Sequence, residues 1–121
     1  MFELEKNFSF EACHTLDHHE GLCKNLHGHS YRLIIKMRKE ELNTSGAEKN
    51  MVTDFGRIKE HVKPLIEKYL DHHHLNETLE TDSPTAEFIA QWTFLQLKPT
   101  LPEIYSVTVW ETATSAATYQ E

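Results

Sequence analysis

Long apolar runs are absent from this 121-residue sequence, and none reaches the ~20 residues that a membrane-spanning helix needs. The first residues, Met-Phe-Glu-Leu-Glu-Lys, alternate apolar with charged side chains, which is not the pattern of a signal peptide. Glycine and proline number only four each, and no repeat, low-complexity tract or linker is evident. We therefore expect a single domain over residues 1–121, located in the cytoplasm.

Positive charge is also scarce. Lysine and arginine total 12 against 19 acidic residues, so the net charge is −7 at pH 7 with histidine neutral. Broad nucleic-acid binding needs a basic face, so the charge argues against it. Binding of a small anion by a few local cations remains compatible with this charge. The only cysteines are Cys13 and Cys23. In a cytosolic chain we expect free thiols, ligands or nucleophiles rather than a disulfide.

Histidine, in contrast, is abundant, with nine residues. Residues 2–14 alternate as a half-buried strand does, and the apolar face of that strand ends in His14. Residues 27–39 alternate in the same way, and their apolar face begins with His27 and His29. An antiparallel pairing brings these ends together, so we expect the three imidazoles to converge at the edge of the core. Three neutral imidazoles with a fourth position open are the ligand pattern of a catalytic zinc.

The rest of the chain predicts two helices followed by two strands. Asp54, or Thr53 before it, can cap a helix that Pro64 should kink or divide, and Ser83 can cap a second helix that starts at Pro84. The apolar spacing gives helices over 54–70 and 84–97, a loop over 40–51, and strands over 104–111 and 116–120. This ββααββ order predicts an α+β fold, with a four-stranded antiparallel sheet and both helices on one face.

Side chains expected to face the core follow from the same spacing. On the helices these are Phe55, Ile58, Val62, Leu65, Ile66, Tyr69, Phe88, Ile89, Trp92 and Leu95. On the third strand, Tyr105, Val107, Val109 and Glu111 share one face. An inward carboxylate needs a partner, and the guanidine-like edge of a heterocyclic ligand would offer it two parallel donors. The alternative is that Glu111 is a surface acid at a strand end.

Cys23 and the segment Leu-Asp-His-His-His-Leu-Asn over 70–76 add candidate chemistry. Cys23 could be a buried apolar residue, the fourth ligand of a closed structural zinc site, or a base favoured by nearby positive charge. Asp71 could orient and charge His72 for proton transfer, or the segment could be a solvated turn. Spacing alone does not choose among His72 and the two histidines that follow it.

Together these segments resemble the 6-pyruvoyl-tetrahydropterin synthase superfamily, most closely its bacterial branch of 6-carboxytetrahydropterin synthases. The resemblance covers nearly the whole chain, and its Cys-x-x-x-His-Gly-His segment is quite specific. The matching segments are Phe10–His14, Cys23–His29, Val52–Phe55, Leu70–His72 with Leu75–Asn76, Ser83–Glu87 and Val109–Thr112. Departures, at Ala113, Ala117 and the histidine-rich residues 17–20, touch none of these segments.

The resemblance implies roles for individual residues. It implies Zn²⁺ on His14, His27 and His29. It implies Cys23 as the catalytic base and His72 with Asp71 as its proton relay. It implies Glu111 as the acid that anchors the pterin and that also counts as a catalytic residue of the proton relay, with Thr85 and Glu87 supporting substrate binding.

The resemblance also implies an assembly and a reaction. The fold would be the T-fold, assembled as a homohexamer of two stacked trimers with active sites at subunit interfaces. The substrate would be 7,8-dihydroneopterin triphosphate, converted to 6-carboxy-5,6,7,8-tetrahydropterin, acetaldehyde and triphosphate in queuosine biosynthesis. Two alternatives stay open: a 6-pyruvoyl product formed by triphosphate elimination, and a non-catalytic protein with a closed Cys-His-His-His zinc site.

Overall fold

A computed structural model describes all 121 residues. Three helices and a five-stranded sheet make up the fold, and no helix combines the length and apolar character that crossing a membrane requires. The strands are β1 (Phe2–His14), β2 (His27–Lys39), β3 (His73–His74), β4 (Ile104–Thr112) and β5 (Ser115–Gln120). The helices are α1 (Phe55–Leu65), α2 (Leu75–Thr78) and α3 (Ala86–Leu97).

The sheet has the order β3-β1-β2-β4-β5. β1 and β2 pair antiparallel along their whole length, and His14 lies opposite His27. The predicted four-stranded antiparallel sheet is therefore one strand short, because β3 runs parallel to β1 beside Ala12 and Cys13. Two residues are too few to show a strand period in sequence. This strand forms because the chain returning from α1 passes the open edge of β1, where backbone groups need partners.

α1 and α3 both pack on the same face of the sheet, as predicted. Ile58 and Val62 of α1 and Ile89 and Phe94 of α3 belong to one buried cluster with the apolar face of β1, β2 and β4. Two side chains predicted to face this core do not: Phe55 and Leu95 are each 50% exposed. The first starts α1 and the second lies on its helix beside the buried Phe94, and both fall outside the contact stripe.

α1 begins where the sequence predicts. The carboxylate of Asp54 accepts a hydrogen bond from the Gly56 amide at 2.6 Å, as an N-cap does. The helix is divided near Pro64, which lacks the N–H that would bond one turn back. A wider, π-helical turn over Ile66–Leu70 follows, with Asp71 as its C-cap.

α3 begins two residues later than predicted. Its N-cap is Thr85, whose hydroxyl accepts from the Phe88 amide at 3.1 Å, and not Ser83. The sequence holds two cap-type residues here, and the hydroxyl that reaches the amide three positions ahead decides between them. As a result Pro84 lies outside the helix, and its carbonyl stays free for a partner from β1.

β4 also departs from simple alternation. The register against β2 shifts between Lys36, which pairs with Ser106, and Met37, which pairs with Ile104. Tyr105 is therefore left without a partner as the extra residue of a bulge. Tyr105, predicted to face the core, instead stacks under the Arg38 guanidinium, 3.4 Å from its ring centroid. Beyond the bulge the predicted alternation resumes: Val107 and Val109 are fully buried.

Candidate active site

The three histidines meet at one end of the β1–β2 pair. His14 closes β1, while His27 and His29 open β2 from the opposite direction. One ring nitrogen from each lies within 4.8 Å of the others, and the Nε2 atoms of His14 and His27 are 3.0 Å apart. Strand period and antiparallel pairing therefore produce the cluster that the sequence predicts.

Backbone carbonyls fix the orientation of two of these rings. His14 Nδ1 donates to the Pro84 carbonyl at 2.9 Å, and His27 Nδ1 donates to the Asn25 carbonyl at 2.7 Å. A carbonyl only accepts, so each Nδ1 carries the proton and each Nε2 presents a lone pair. Two lone pairs 3.0 Å apart repel unless a cation lies between them. Metal-binding histidines typically donate their other ring N–H to a carbonyl or carboxylate in this way.

Burial favours the neutral form of His14. Desolvation lowers the pKa of His14 below its ordinary value, although the Pro84 carbonyl acts in the opposite direction. His29 Nε2 is buried and has no hydrogen-bond partner. An unpaired buried nitrogen beside two inward lone pairs fits a bound divalent cation, and neutral imidazole suits zinc and several other transition metals.

Tyr31 and Glu111 border the histidines. The Tyr31 ring is fully buried, stacks on Phe10, and places its hydroxyl 3.4 Å from His14 Nδ1. Burial raises the pKa of Tyr31 well above its ordinary value, so the phenol stays neutral. Glu111 continues the inward face of β4, as predicted, and its Oε1 lies 3.7 Å from His29 Nε2.

A cavity of about 510 Å³ lies beside Glu111, the carboxylate that borders the cluster. Cys23, Thr85, Glu87 and Glu111 all line it. The structure thus brings together the predicted thiol and the three predicted substrate-binding residues. Cys23 does not join the close group of ligand atoms formed by the histidines, so the residues present do not form a closed four-ligand shell.

Asp71 and His72 do not line the Cys23 cavity. His72 Nδ1 is 2.9 Å from Asp71 Oδ2, and Asp71 Oδ1 accepts from the Glu11 amide at 2.9 Å. The Glu11 amide first, and His72 second, lower the pKa of Asp71. The His72 side chain is 78% exposed, its backbone is left-handed (φ 60°), and it lines a different cavity of about 640 Å³, to which His29 of the cluster also contributes. Cys23 does not line this cavity, and His72 does not line the Cys23 cavity.

Some residues that build the site carry no recognisable sequence signal. The carbonyls of Pro84 and Asn25 orient two histidines, yet every residue has a carbonyl. Asn76 belongs to the segment over 70–76, but its spacing assigned it no role. In the structure its side-chain amide binds Thr15, the residue after His14.

Fold and site define a small α+β protein with a three-histidine, metal-type centre beside a thiol and a carboxylate. The family model described as 6-pyruvoyl tetrahydropterin synthase matches residues 3–121. The chain belongs to this 6-pyruvoyl tetrahydropterin synthase family, and the resemblance seen in its sequence segments is confirmed.

Individual relatives are similar over almost their full length. The chain is 48% identical over 120 residues to a 6-carboxy-5,6,7,8-tetrahydropterin synthase of Synechocystis, covering 98% of the chain and 93% of the relative. It is 39% identical over 142 residues to the enzyme of the same name in Haemophilus influenzae, with both proteins covered completely. Among solved structures, a 6-pyruvoyl tetrahydropterin synthase of Caenorhabditis elegans superposes with a TM-score of 0.85 at 29% identity, over 99% of this chain and 95% of that one.

Proposed function

We propose that this chain is a cytoplasmic, single-domain, zinc-dependent lyase, a 6-carboxy-5,6,7,8-tetrahydropterin synthase of queuosine biosynthesis. It would convert 7,8-dihydroneopterin triphosphate and water to 6-carboxy-5,6,7,8-tetrahydropterin, acetaldehyde and triphosphate. The names of the bacterial relatives support this activity. The observation that carries it is the cavity shared by Cys23 and Glu111, with Glu111 in turn 3.7 Å from His29.

Each residue has a distinct task in this reaction. His14, His27 and His29 would hold the zinc ion, which supplies Lewis-acid polarisation of the substrate side chain. The carboxylate of Glu111 accepts two donors from the pterin edge and so fixes the ring. Thr85 and Glu87, on the same cavity wall, support that binding.

Proton transfer falls to Cys23 and His72. The Cys23 thiolate removes protons from the side-chain carbons that Glu111 holds in reach. His72, oriented by Asp71 at 2.9 Å, returns protons. Because His72 lines a separate cavity from Cys23, we propose that a second copy of the chain presents His72 and its partner Asp71 to this one. We therefore propose the homohexamer of two trimers, with active sites at the subunit interfaces. β5 and the part of β1 that β3 leaves unpaired are open edges where sheets can join.

The pyruvoyl branch is the second candidate. The Caenorhabditis elegans structure that superposes at a TM-score of 0.85 carries that name. The same thiol, metal and carboxylate would eliminate triphosphate without breaking a carbon–carbon bond. The higher identities to relatives named as carboxy synthases favour the first proposal.

Product analysis tests the proposal directly. The zinc-loaded protein is incubated with 7,8-dihydroneopterin triphosphate, and the products are identified by mass spectrometry. Acetaldehyde with 6-carboxytetrahydropterin is the expected result, while a pyruvoyl pterin without acetaldehyde supports the second candidate. Unchanged substrate contradicts both.

Two cysteine variants test whether Cys23 is a catalytic base or a structural metal ligand. Cys23→Ala should keep one zinc per chain and lose turnover. Cys13→Ala is the matched control, because this second free thiol lies off the Cys23 cavity, with its Sγ 3.8 Å from the His73 carbonyl. It should retain both metal and activity. Loss of stoichiometric zinc in Cys23→Ala alone would instead support the closed Cys-His-His-His site and a non-catalytic protein.

A further inference from the structure

The loop over residues 15–26 places Cys23 beside the metal-type centre. Its base is closed by a hydrogen bond from the Leu16 amide to the Cys23 carbonyl at 2.9 Å. Cys23 itself lies in a single helical turn over Leu22–Lys24. The large apolar residues next to it do not anchor the loop, because Leu22 is 86% exposed and Leu26 is 64% exposed. Polar contacts must therefore hold it in place.

One side chain supplies most of these contacts. Asn76 Oδ1 accepts from the Thr15 amide at 2.9 Å, and Asn76 Nδ2 donates to the Thr15 carbonyl at 2.9 Å and to its hydroxyl at 3.0 Å. The amide thus acts as one further strand residue, continuing the pairing in which β3 lies beside Ala12 and Cys13. Thr15 directly precedes Leu16, so the contact fixes the backbone next to the first residue of the closing hydrogen bond, while His14 keeps its own contacts with His27 and the Pro84 carbonyl.

A second fastening is weaker. The Asp17 amide donates to the Asp82 carbonyl at 3.1 Å, and His18 Nε2 lies 2.7 Å from Asp82 Oδ2. The His18 side chain is 77% exposed, and exposed ion pairs contribute little to stability. The contacts of Asn76 with Thr15 are part-buried, so they are the less screened of the two.

We infer that Asn76 is a positioning residue: its amide holds the Cys23 loop against the three-histidine centre through Thr15 and Leu16. The role given to the thiol rests on the proposed function, whereas the attachment of the loop does not. Loss of the amide should free the loop to open while the fold and the histidine cluster remain.

Alkylation of the Cys23 thiol measures that attachment without turnover. The zinc-loaded protein is treated with iodoacetamide over a range of pH, and modification of the Cys23 peptide is followed by mass spectrometry. In Asn76→Ala we expect Cys23 to react at least about fivefold faster, the factor that corresponds to the loss of one of the three hydrogen bonds of Asn76 at ordinary strength. The zinc content should stay at the wild-type value.

A second amide provides the matched control. Asn43 Nδ2 donates to the carbonyls of Met51 and Val52, and so fastens a different loop. Asn43→Ala should leave Cys23 alkylation unchanged. If Asn76→Ala does not fold, Asn76→Asp serves, since it keeps the acceptor for the Thr15 amide but loses both donors. An unchanged Cys23 rate in the folded Asn76 variant, or an equal increase in Asn43→Ala, overturns the inference.

Turnover distinguishes this inference from the proposed function. If the wild type is active, Asn76→Ala should lower kcat and leave KM nearly unchanged, because Glu111 and Thr85 still line the substrate cavity. If the wild type is active but Asn76→Ala leaves the Cys23 alkylation rate unchanged, only the positioning role is refuted. An inactive wild type whose Cys23 reactivity still depends on Asn76 refutes the proposed function and supports the positioning role.

Discussion

Replacing His29 by alanine should remove most of the metal-dependent stabilisation at little cost to the metal-free protein. His29 Nε2 is buried without a hydrogen-bond partner, whereas His14 Nδ1 is bonded to the Pro84 carbonyl. In the absence of metal, the imidazole of His29 therefore contributes no side-chain hydrogen bond through Nε2. With metal, its loss removes one of three ligands.

The size of the effect follows from linkage. Free metal at a hundredfold excess over its dissociation constant stabilises the folded state by about 2.7 kcal/mol. Unfolding entropy is about 2.1 cal/mol/K per residue, so a chain of 121 residues should gain roughly 11 °C in Tm. With two ligands left, we expect less than about a third of this gain at the same metal concentration.

Thermal unfolding after chelation, with and without added Zn²⁺, measures both states. His18→Ala is the control, because His18 is exposed and lies outside the histidine cluster. It should keep the full increase in Tm. An undiminished increase in His29→Ala, or no increase in the wild type, would refute the assignment of the metal centre.

Three further predictions concern single side chains. Glu111→Gln should keep its zinc but raise KM for the pterin substrate at least about tenfold, as loss of a charge-assisted hydrogen bond does; an unchanged KM contradicts its anchoring role. Thr93 is fully buried with an unpaired hydroxyl, so Thr93→Val should raise the free energy of unfolding, measured in urea, by about 1 kcal/mol. A lower free energy of unfolding would show that the hydroxyl has a partner. The pKa of Asp71 is lowered in the fold, so its charge stabilises above the unfolded carboxyl pKa of ~3.9, and that contribution disappears as pH falls through the folded value. Asp71→Asn should therefore be less stable than wild type at neutral pH, with the gap closing as the pH falls through the folded pKa of Asp71; a gap that is independent of pH would contradict the ionic contribution.

The strands of the site were predictable because one physical constraint fixes them. Alternation against a core sets the bounds of β1 and β2, and their pairing then places His14 opposite His27. β3 was not predictable, since two residues carry no period. The bulge at Tyr105 was hidden for a related reason, because its cause lies in the register against β2 and not in β4 itself.

For the site, sequence could place side chains that share a face but not those that meet only through the tertiary fold. The histidine cluster and the inward Glu111 follow from strand period. The separation of His72 from Cys23 depends on how the chain returns from α1, which no local pattern records. The amide of Asn76 is similar, because its partner Thr15 lies 61 residues away in sequence.

The left-handed backbone of His72 has an evolutionary consequence. A non-glycine residue at φ 60° carries a conformational cost of about 1 kcal/mol that glycine avoids. Selection for thermal tolerance alone should therefore enrich glycine or asparagine at position 72. A lineage under selection for catalysis should keep histidine there, so the sequences that survive each regime would reveal which demand the residue serves.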